Sequence, residues 1–210
     1  MRKLALFAMA ASLLCAADKP EKGFKSLFNG KDFDGWTKAK ENEGTFSIKD
    51  GAIVANGPKC HLYYTGKVGN HNFTNFELKV DVMTEPNSNG GIYFATQYQE
   101  TNWPDKGFEV QVNNTYERDF RKTGGLYMVQ DNKDKVAEDK KWFTEHIIVK
   151  DKNVQVFVDG KKVVDWTQPD GWAGPPNMKG RVLAPGTFAL QGHDPGSTVH
   201  YKNIRVKMLK

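Results

Sequence analysis

Polar side chains suited to acid–base chemistry occupy alternate positions in two short apolar stretches. Glu109 and Gln111 alternate with apolar residues in one stretch, and Gln191 and His193 do so in the other. Alternate side chains of a β-strand face the same side, so each pair should project from one face of a sheet. A carboxylate and an imidazole exchange protons near neutral pH, and amides donate and accept hydrogen bonds as sugar hydroxyls do. We therefore expect a site for a polyhydroxylated ligand, with Glu109 and His193 as its acid–base pair.

The same alternation has a plainer interpretation, because the solvent-facing side of any antiparallel strand is polar. Gln111 also stands where a second carboxylate would complete the pair used by direct glycosidases. The spacing therefore favours chemistry that needs one acid–base pair, with a solvated strand surface as the alternative.

Tryptophan is a second signal, with five residues in the chain, because aromatic faces pack well against the apolar faces of sugars. We assign Trp36 and Trp142 to the core. Trp103 precedes a proline in a polar turn, and Trp172 lies in a Gly/Pro-rich stretch. Both are expected at the rim of a cleft, and the stretch 166–185 is expected to be a long functional loop.

Familiar catalytic motifs are missing from the sequence. The five histidines are scattered without the spacing of metal ligands. There is no phosphate-binding loop, no dinucleotide fingerprint and no Gly-x-Ser-x-Gly nucleophile motif. This excludes the common nucleotide-dependent and serine-hydrolase classes.

After residue 17 the chain is predicted to be almost entirely β-structure. Stretches of period-2 alternation are separated by turn residues such as Asp159-Gly160, and no long segment has the 3.6-residue period of a helix. We predict strands within residues 45–49, 52–55, 60–65, 76–82, 92–94, 108–112, 142–150, 154–158, 162–164, 188–191 and 204–208. Many short strands with regular turns indicate an all-β jelly-roll sandwich of two antiparallel sheets.

Length and composition place this 210-residue chain among globular domains. Hydrophobic residues form 39% of it, enough to bury a core, which excludes a disordered chain. A formal net charge of +5 is too mild to indicate a nucleic-acid partner. Two cysteines exclude a disulfide framework, and we expect Cys60 to be a small buried hydrophobe.

The N-terminal segment, residues 1–17, is typical of a secretory signal peptide. Arg2 and Lys3 precede an apolar run, residues 4–14, which is too short to span a bilayer. We predict cleavage at the end of this segment, export to the periplasm or the extracellular space, and one mature domain over residues 18–210.

A lipid anchor at Cys15 is the alternative to a cleaved, free protein. It is the less favoured of the two, because Leu14 stands where lipoprotein signals usually carry a small residue. Beyond the signal no apolar stretch is long enough for a membrane span.

Several short motifs occur in the order found in one large bacterial family. They are Leu27-Phe28-Asn29-Gly30-Lys31-Asp32-Phe33-Asp34-Gly35-Trp36, Asn89-Gly90-Gly91-Ile92-Tyr93-Phe94, Gly107-Phe108-Glu109-Val110-Gln111-Val112, Thr123-Gly124-Gly125-Leu126-Tyr127, Ala189-Leu190-Gln191-Gly192-His193 and Tyr201-Lys202-Asn203-Ile204-Arg205. On these motifs the chain resembles the 3-keto-disaccharide hydrolase family over about residues 24–209.

The resemblance implies a concanavalin-like jelly roll that acts on glycosides already oxidised at C3. A base removes the C2 proton, the enolate expels the glycosidic oxygen from C1, and water adds back to give net hydrolysis. This lyase and hydratase route needs one acid–base pair and stabilisation of the enolate. Residues expected to bind the sugar are Gln111, Gln191, Asn89 and Tyr127, with Trp103 and Trp172 at the rim.

The chain departs from the family pattern in two places. Many members carry Arg shortly after their Asn-Ser-Gly-Ile-Phe motif, where this chain has Ala95 and Thr96, and Gly192 replaces the acidic residue of a Gln-Asp-His stretch. No organic cofactor is evident. A divalent cation would suit enolate stabilisation, but the sequence specifies no ligand set for one.

We therefore expect an exported carbohydrate-active enzyme whose partner is a 3-keto-glycoside or another glycan. One alternative is a glycan-binding module that uses the same face without catalysis. Another is a surface domain for partner binding, in which Glu109 and His193 are merely solvated. A direct glycoside hydrolase is least favoured, because a paired carboxylate is missing.

Overall fold

The computed structural model describes residues 21–210, which form two antiparallel sheets around one hydrophobic core. The signal peptide predicted for residues 1–17 and the alternative lipid anchor at Cys15 lie outside the described residues. Within the described part, no helix is long and apolar enough to cross a membrane. Two short 3-10 turns, Glu43–Thr45 and Val68–His71, are the helical elements.

Fifteen strands make up the two sheets. In chain order they are β1 (Lys25–Ser26), β2 (Trp36–Lys38), β3 (Phe46–Lys49), β4 (Ala52–Ala55), β5 (Cys60–Tyr64), β6 (Phe76–Thr84), β7 (Gly90–Thr96), β8 (Phe108–Val112), β9 (Lys122–Leu126), β10 (Gln130–Asn132), β11 (Phe143–Lys150), β12 (Asn153–Val158), β13 (Lys161–Thr167), β14 (Thr187–Gly192) and β15 (Val199–Met208).

The strands divide into an eight-stranded and a seven-stranded sheet. The eight-stranded sheet has the order β13-β12-β11-β6-β15-β4-β3, with β1 beside β15. The seven-stranded sheet has the order β10-β9-β8-β7-β14-β5-β2. The pairings are antiparallel throughout. The predicted sandwich of two antiparallel sheets is confirmed.

The core lies between the sheets and follows the predicted alternation. In β6, Phe76, Leu78, Val80 and Val82 are buried while the residues between them are partly exposed. Burying a side chain of this size contributes roughly 1.5–3 kcal/mol, so the alternating set holds the two sheets together. Cys60 is a buried free thiol, as predicted.

Four strands of the seven-stranded sheet are buried on both faces, which the polar alternation did not predict. Every residue of β5, β7, β8 and β14 is buried, including the polar ones. Two loops, residues 97–107 and 168–186, cover the outer face. Glu109 is only 4% exposed there, so the interpretation of this residue as a solvated surface group is wrong.

Trp142 also lies elsewhere than predicted. It is 39% exposed rather than in the core. Its ring lies 3.9 Å from the Lys202 ammonium group, a cation–π contact. Because β11 begins one residue later, Phe143 takes the inward position.

A carboxyl group lies within the apolar core. The inward face of β11 includes Glu145, which is fully buried, and neither of its oxygens makes a hydrogen bond of normal geometry with any residue in 21–210. Burial raises the pKa of Glu145 well above its usual range, and the nearby backbone N–H of Gly124 offsets this only in part. The folded state therefore favours the neutral acid.

We predict that Glu145→Gln stabilises the protein at pH 8 and that this gain shrinks toward pH 5. The folded state holds a proton that the unfolded state releases above its ordinary pKa, so wild-type stability falls as pH rises. The wild-type free energy of unfolding falls by at most about 1.4 kcal/mol per pH unit, up to the folded-state pKa of Glu145. Urea unfolding at pH 5 and pH 8 measures it, with the exposed Glu117→Gln as control. An unchanged pH slope in Glu145→Gln would contradict the prediction.

Candidate active site

Strand register brings the predicted polar residues onto one face of the seven-stranded sheet. In β7, Tyr93 lies opposite Glu109 of β8, and Gly91 lies opposite Gln111. On the other side of β7 is β14, which carries Gln191. Alternate residues of these strands face the core, so the polar ones face outward together.

The outward side chains form the floor of a cavity of about 520 Å3. Seven predicted residues line it, namely Asn89, Trp103, Glu109, Gln111, Tyr127, Gln191 and His193. A cavity of this volume accommodates a small ligand such as a sugar. Its lining also includes residues that sequence reasoning missed, among them Tyr93, Asp119 and Arg181.

Three donors converge on the Glu109 carboxyl group. Oε2 accepts a hydrogen bond from the Tyr93 hydroxyl at 2.7 Å and one from Arg181 Nη2 at 3.3 Å. Oε1 accepts from Gln191 Nε2 at 2.8 Å. A carboxylate has about four acceptor positions, so one on Oε1 remains for a ligand. Burial raises the pKa of Glu109, and the charge of Arg181 and these hydrogen bonds oppose that shift.

The space for Glu109 exists because the neighbouring strand carries a glycine. A Cβ atom on Gly91 would lie 2.5 Å from Glu109 Oε1. That is closer than real side chains approach, so any other residue would push the carboxyl group away. The glycine of the family motif, Gly91 in this chain, thus has a direct structural role at this site.

His193 follows the last residue of β14 and is oriented by a carboxylate. Its Nδ1 lies 2.7 Å from Asp194 Oδ2, so Nδ1 carries the proton and Nε2 is left as the acceptor. Asp194 also accepts from Ser197 Oγ and from the Gly196 N–H, each at 2.8 Å. Burial alone would raise the pKa of Asp194, but these hydrogen bonds outweigh it and lower that pKa.

The departure at Gly192 has a packing reason. A Cβ atom there would collide with Thr45 Cγ2, so an acidic side chain does not fit. Asp194, which follows His193, is the carboxylate that pairs with its imidazole ring. The imidazole ring is also held by Trp103, at a centroid distance of 5.4 Å, and by Tyr116 at 5.7 Å.

Arg181 is the main residue that sequence reasoning missed. It is 4% exposed, donates from Nη1 to the Gly107 carbonyl at 3.1 Å, and lies over the Tyr93 ring. It comes from the 168–186 loop. The length of this loop was the one sequence feature that indicated a functional role for its residues. Although Ala95 stands where many relatives carry Arg, this chain brings a guanidinium to the cavity from a different segment.

Trp172 does not line the cavity, contrary to the prediction. Its indole Nε1 donates to the Arg181 carbonyl at 2.7 Å, and its ring packs edge-on against Trp166 at 5.4 Å. The residue therefore supports the loop that carries Arg181 rather than the rim of the cleft.

Three further predicted residues have distinct environments. Asn89 Oδ1 accepts from Gln111 Nε2 at 2.9 Å, which aligns the two amides. Burial raises the pKa of Tyr127, so its hydroxyl stays protonated. Trp103 is 43% exposed at the edge of the cavity. Within residues 21–210, no group of three or more His, Cys, Asp or Glu side chains is arranged to hold a metal ion.

Several solved structures share this fold. A proposed glycosyl hydrolase from Parabacteroides distasonis superimposes with a TM-score of 0.75 at 24% identity, covering 90% of this chain and 94% of that one. The carbohydrate-binding module CBM66 from Bacillus subtilis gives 0.60 at 13% identity, with coverages of 84% and 97%. The β-glucanase of Bacillus licheniformis gives 0.58 at 11%, with 89% and 97%. These identities show a common jelly-roll fold.

No curated protein matches the sequence. A family model does match, described as a 3-keto-alpha-glucoside-1,2-lyase-like domain, and it spans residues 23–207. This is the family that the sequence motifs indicated, and the match covers nearly all the described residues. The chain is therefore a carbohydrate-active domain that belongs to the 3-keto-α-glucoside-1,2-lyase-like family.

Proposed function

We propose that the protein is an exported enzyme that cleaves 3-keto-α-glucosides by elimination and hydration. The observation that carries this proposal is the pairing, in one cavity, of a buried carboxyl group at Glu109 with an oriented imidazole at His193. Family membership supports the substrate class. The reaction needs a base for the C2 proton, an acid for the departing oxygen and a stabilised enolate.

His193 is the base of this mechanism. Its Nδ1–H is held by Asp194, so Nε2 accepts the C2 proton, and the carboxylate stabilises the imidazolium that forms. Electrons of the C2–H bond form the enolate, whose negative charge lies on the C3 oxygen. Asp194 acts through His193, as a positioning residue.

Glu109 is the acid. Burial raises its pKa, which allows it to carry the proton that the glycosidic oxygen needs when the C1–O bond breaks. The buried Arg181 guanidinium, which also bonds to Glu109, supplies the positive charge that stabilises the enolate, because its Nε–H has no partner within residues 21–210. Water then adds its hydroxyl group to C1 and a proton to C2, which completes net hydrolysis.

The remaining cavity residues bind the sugar. Gln191 Oε1 is buried without a partner in the described part of the chain, so it can accept a bond from a sugar hydroxyl. Gln111, Asn89 and Tyr127 line the same cavity with donors and acceptors. Trp103 offers an aromatic face for the apolar side of a sugar ring.

A non-catalytic glycan-binding module is the second candidate. The fold similarity to CBM66 favours it, since that protein is described as a carbohydrate-binding module. The same cavity would then hold a glycan through its amides and aromatic rings without proton transfer.

We expect the purified protein to cleave methyl 3-keto-α-glucoside but not its unoxidised parent. In deuterated water, NMR should show deuterium at C2 of the product, because the C2 proton is exchanged during the reaction. Glu109→Gln and His193→Ala should each lose about 10²- to 10⁴-fold in kcat, as for other acid–base residues. The exposed His71→Ala is the control and should retain full activity. Binding without turnover of either sugar would favour the binding module.

We expect Asp194→Asn to lower kcat by at least about tenfold with little change in KM. Loss of the carboxylate frees the imidazole to take the wrong tautomer, while the groups that bind the sugar stay in place. Steady-state kinetics with the 3-keto substrate measures the effects on kcat and on KM separately. Asp170→Asn removes a carboxylate from an exposed ion pair and should change neither constant. A rise in KM alone would place Asp194 in substrate binding instead.

We expect Arg181→Gln to move the alkaline limb of the kcat–pH profile to higher pH. The Arg181 charge holds the pKa of Glu109 down, so its removal raises that pKa further and keeps the acid protonated at higher pH. The maximum kcat should fall, since the enolate loses its cation. Arg181→Lys retains the charge and should shift the limb less. An unmoved limb in Arg181→Gln would mean that Glu109 is not the acid.

A further inference from the structure

Buried polar atoms without partners lie on β5, beside the cavity but outside its lining. They are both ring nitrogens of His61 and the hydroxyl oxygen of Tyr63, none of which has a hydrogen-bond partner among residues 21–210. Both side chains are fully buried. Unpaired buried polar groups are rare and weaken a fold, so two on one strand face point to a ligand that pairs them.

These residues continue the floor of the cavity. His61 lies opposite Gln191 in the β5–β14 pairing, and Tyr63 lies opposite Ala189. Ala189 in turn lies opposite Tyr93. The two β5 side chains are therefore in the same rows as the sugar-binding residues, one or two strands further along the sheet.

Two aromatic rings from one loop cover this part of the floor. Trp103 packs edge-on against His61 at a centroid distance of 5.6 Å, and Tyr98 packs likewise against Tyr63 at 5.3 Å. Trp103 and Tyr98 are 43% and 40% exposed, so the cover is a single layer of rings. Aromatic rings of this kind also stack on sugars.

The covering loop is held together internally and is joined to the sheet by few bonds. Gln99 accepts from the Asp105 N–H and donates to the Trp103 carbonyl, which ties the loop to itself. The Glu100 carbonyl accepts from the backbone N–H groups of Lys40 and Glu41 at 2.9 and 3.3 Å, and the Glu100 carboxylate pairs with Lys40. The Tyr98 hydroxyl donates to the Lys38 carbonyl and Lys59 Nζ donates to Asn102 Oδ1, each at 3.4 Å. Displacing the loop as a unit breaks these bonds and uncovers β5.

We propose that the outer face of β5 is a second sugar subsite, where a ring beyond the reacting one moves Trp103 and Tyr98 aside, bonds to His61 and Tyr63, and stacks on the face of the moved Trp103 ring. The ligand class is a glycoside of at least two sugar rings. This inference rests on the proposed action of the cavity on glycosides. A neutral imidazole supplies one donor and one acceptor, and a phenol supplies both, which matches vicinal sugar hydroxyls.

The first test compares the binding of trehalose and methyl α-glucoside by calorimetry. The wild-type protein should bind trehalose more tightly. Tyr63→Phe should weaken trehalose binding by about 3- to 10-fold, the effect of one hydrogen bond, and leave methyl α-glucoside unaffected. Without ligand, Tyr63→Phe should unfold no more easily than wild type, because it removes only an unpaired hydroxyl. Trehalose binding no tighter than methyl α-glucoside, including no binding of either, overturns the proposal.

The matched control is Tyr64→Phe. Tyr64 is on the opposite face of β5 and its hydroxyl accepts from the Val68 N–H at 3.0 Å. This variant should lose stability and keep wild-type affinity for both sugars. Equal weakening of trehalose binding in Tyr63→Phe and Tyr64→Phe would overturn a specific role for Tyr63.

Hydrogen exchange tests the movement of the loop. Trehalose, but not methyl α-glucoside, should speed exchange at the Lys40 and Glu41 amides, because both lose their acceptor when the loop moves. Unchanged or slower exchange with trehalose bound overturns the displacement. These sugars are unoxidised, so their binding is independent of catalysis. Equal kcat/KM for 3-keto-trehalose and methyl 3-keto-α-glucoside would instead support the proposed function and overturn the second subsite.

Discussion

Burial of the Glu109 carboxyl group is the constraint on which the rest of the site depends. A buried ionisable group is costly unless charged and neutral donors surround it. Here Tyr93 and Gln191 donate from neighbouring strands, and Arg181 donates from a loop far away in sequence. The 168–186 loop must therefore close over the sheet for Glu109 to gain its charged partner, and Gly91 must lack a side chain for the carboxyl group to fit. The sheet, the loop and the glycine motif are explained by one requirement.

The two candidate proton-transfer groups occupy opposite environments. Glu109 lies at the buried floor of the cavity, where burial favours its neutral form. His193 is partly open to solvent and is paired with Asp194, whose own ionised form is stabilised by Ser197 and Gly196. Burial that raises the pKa of a carboxyl group is how a site keeps it available as an acid. In this chain the carboxylate beside the histidine is Asp194, which follows it, and Thr45 occupies the space next to Gly192, which precedes it.

The jelly-roll frame itself does not decide what the protein does. Comparable frames are found in a carbohydrate-binding module and in a β-glucanase. In this molecule the site is built from the loops that cover the seven-stranded sheet. One loop brings Arg181 to the carboxyl group, and another places Trp103 and Tyr98 over the unpaired polar atoms of β5. Loops of this kind determine substrate and chemistry on a frame that many proteins share.

The sequence by itself determined the sandwich and the face on which Glu109, Gln111 and Gln191 lie, because strand pleating is a local property that alternation reports directly. It also located the family motifs. Only the tertiary structure decided that this face is buried, that Arg181 pairs with Glu109, and that Trp172 supports a loop instead of the cleft. These depend on loop conformations, which are set by contacts between residues distant in sequence and carry no periodic signal. For the same reason the sequence pattern did not distinguish His61 and Tyr63 from other strand residues, and only the fold showed that they lie beside the cavity.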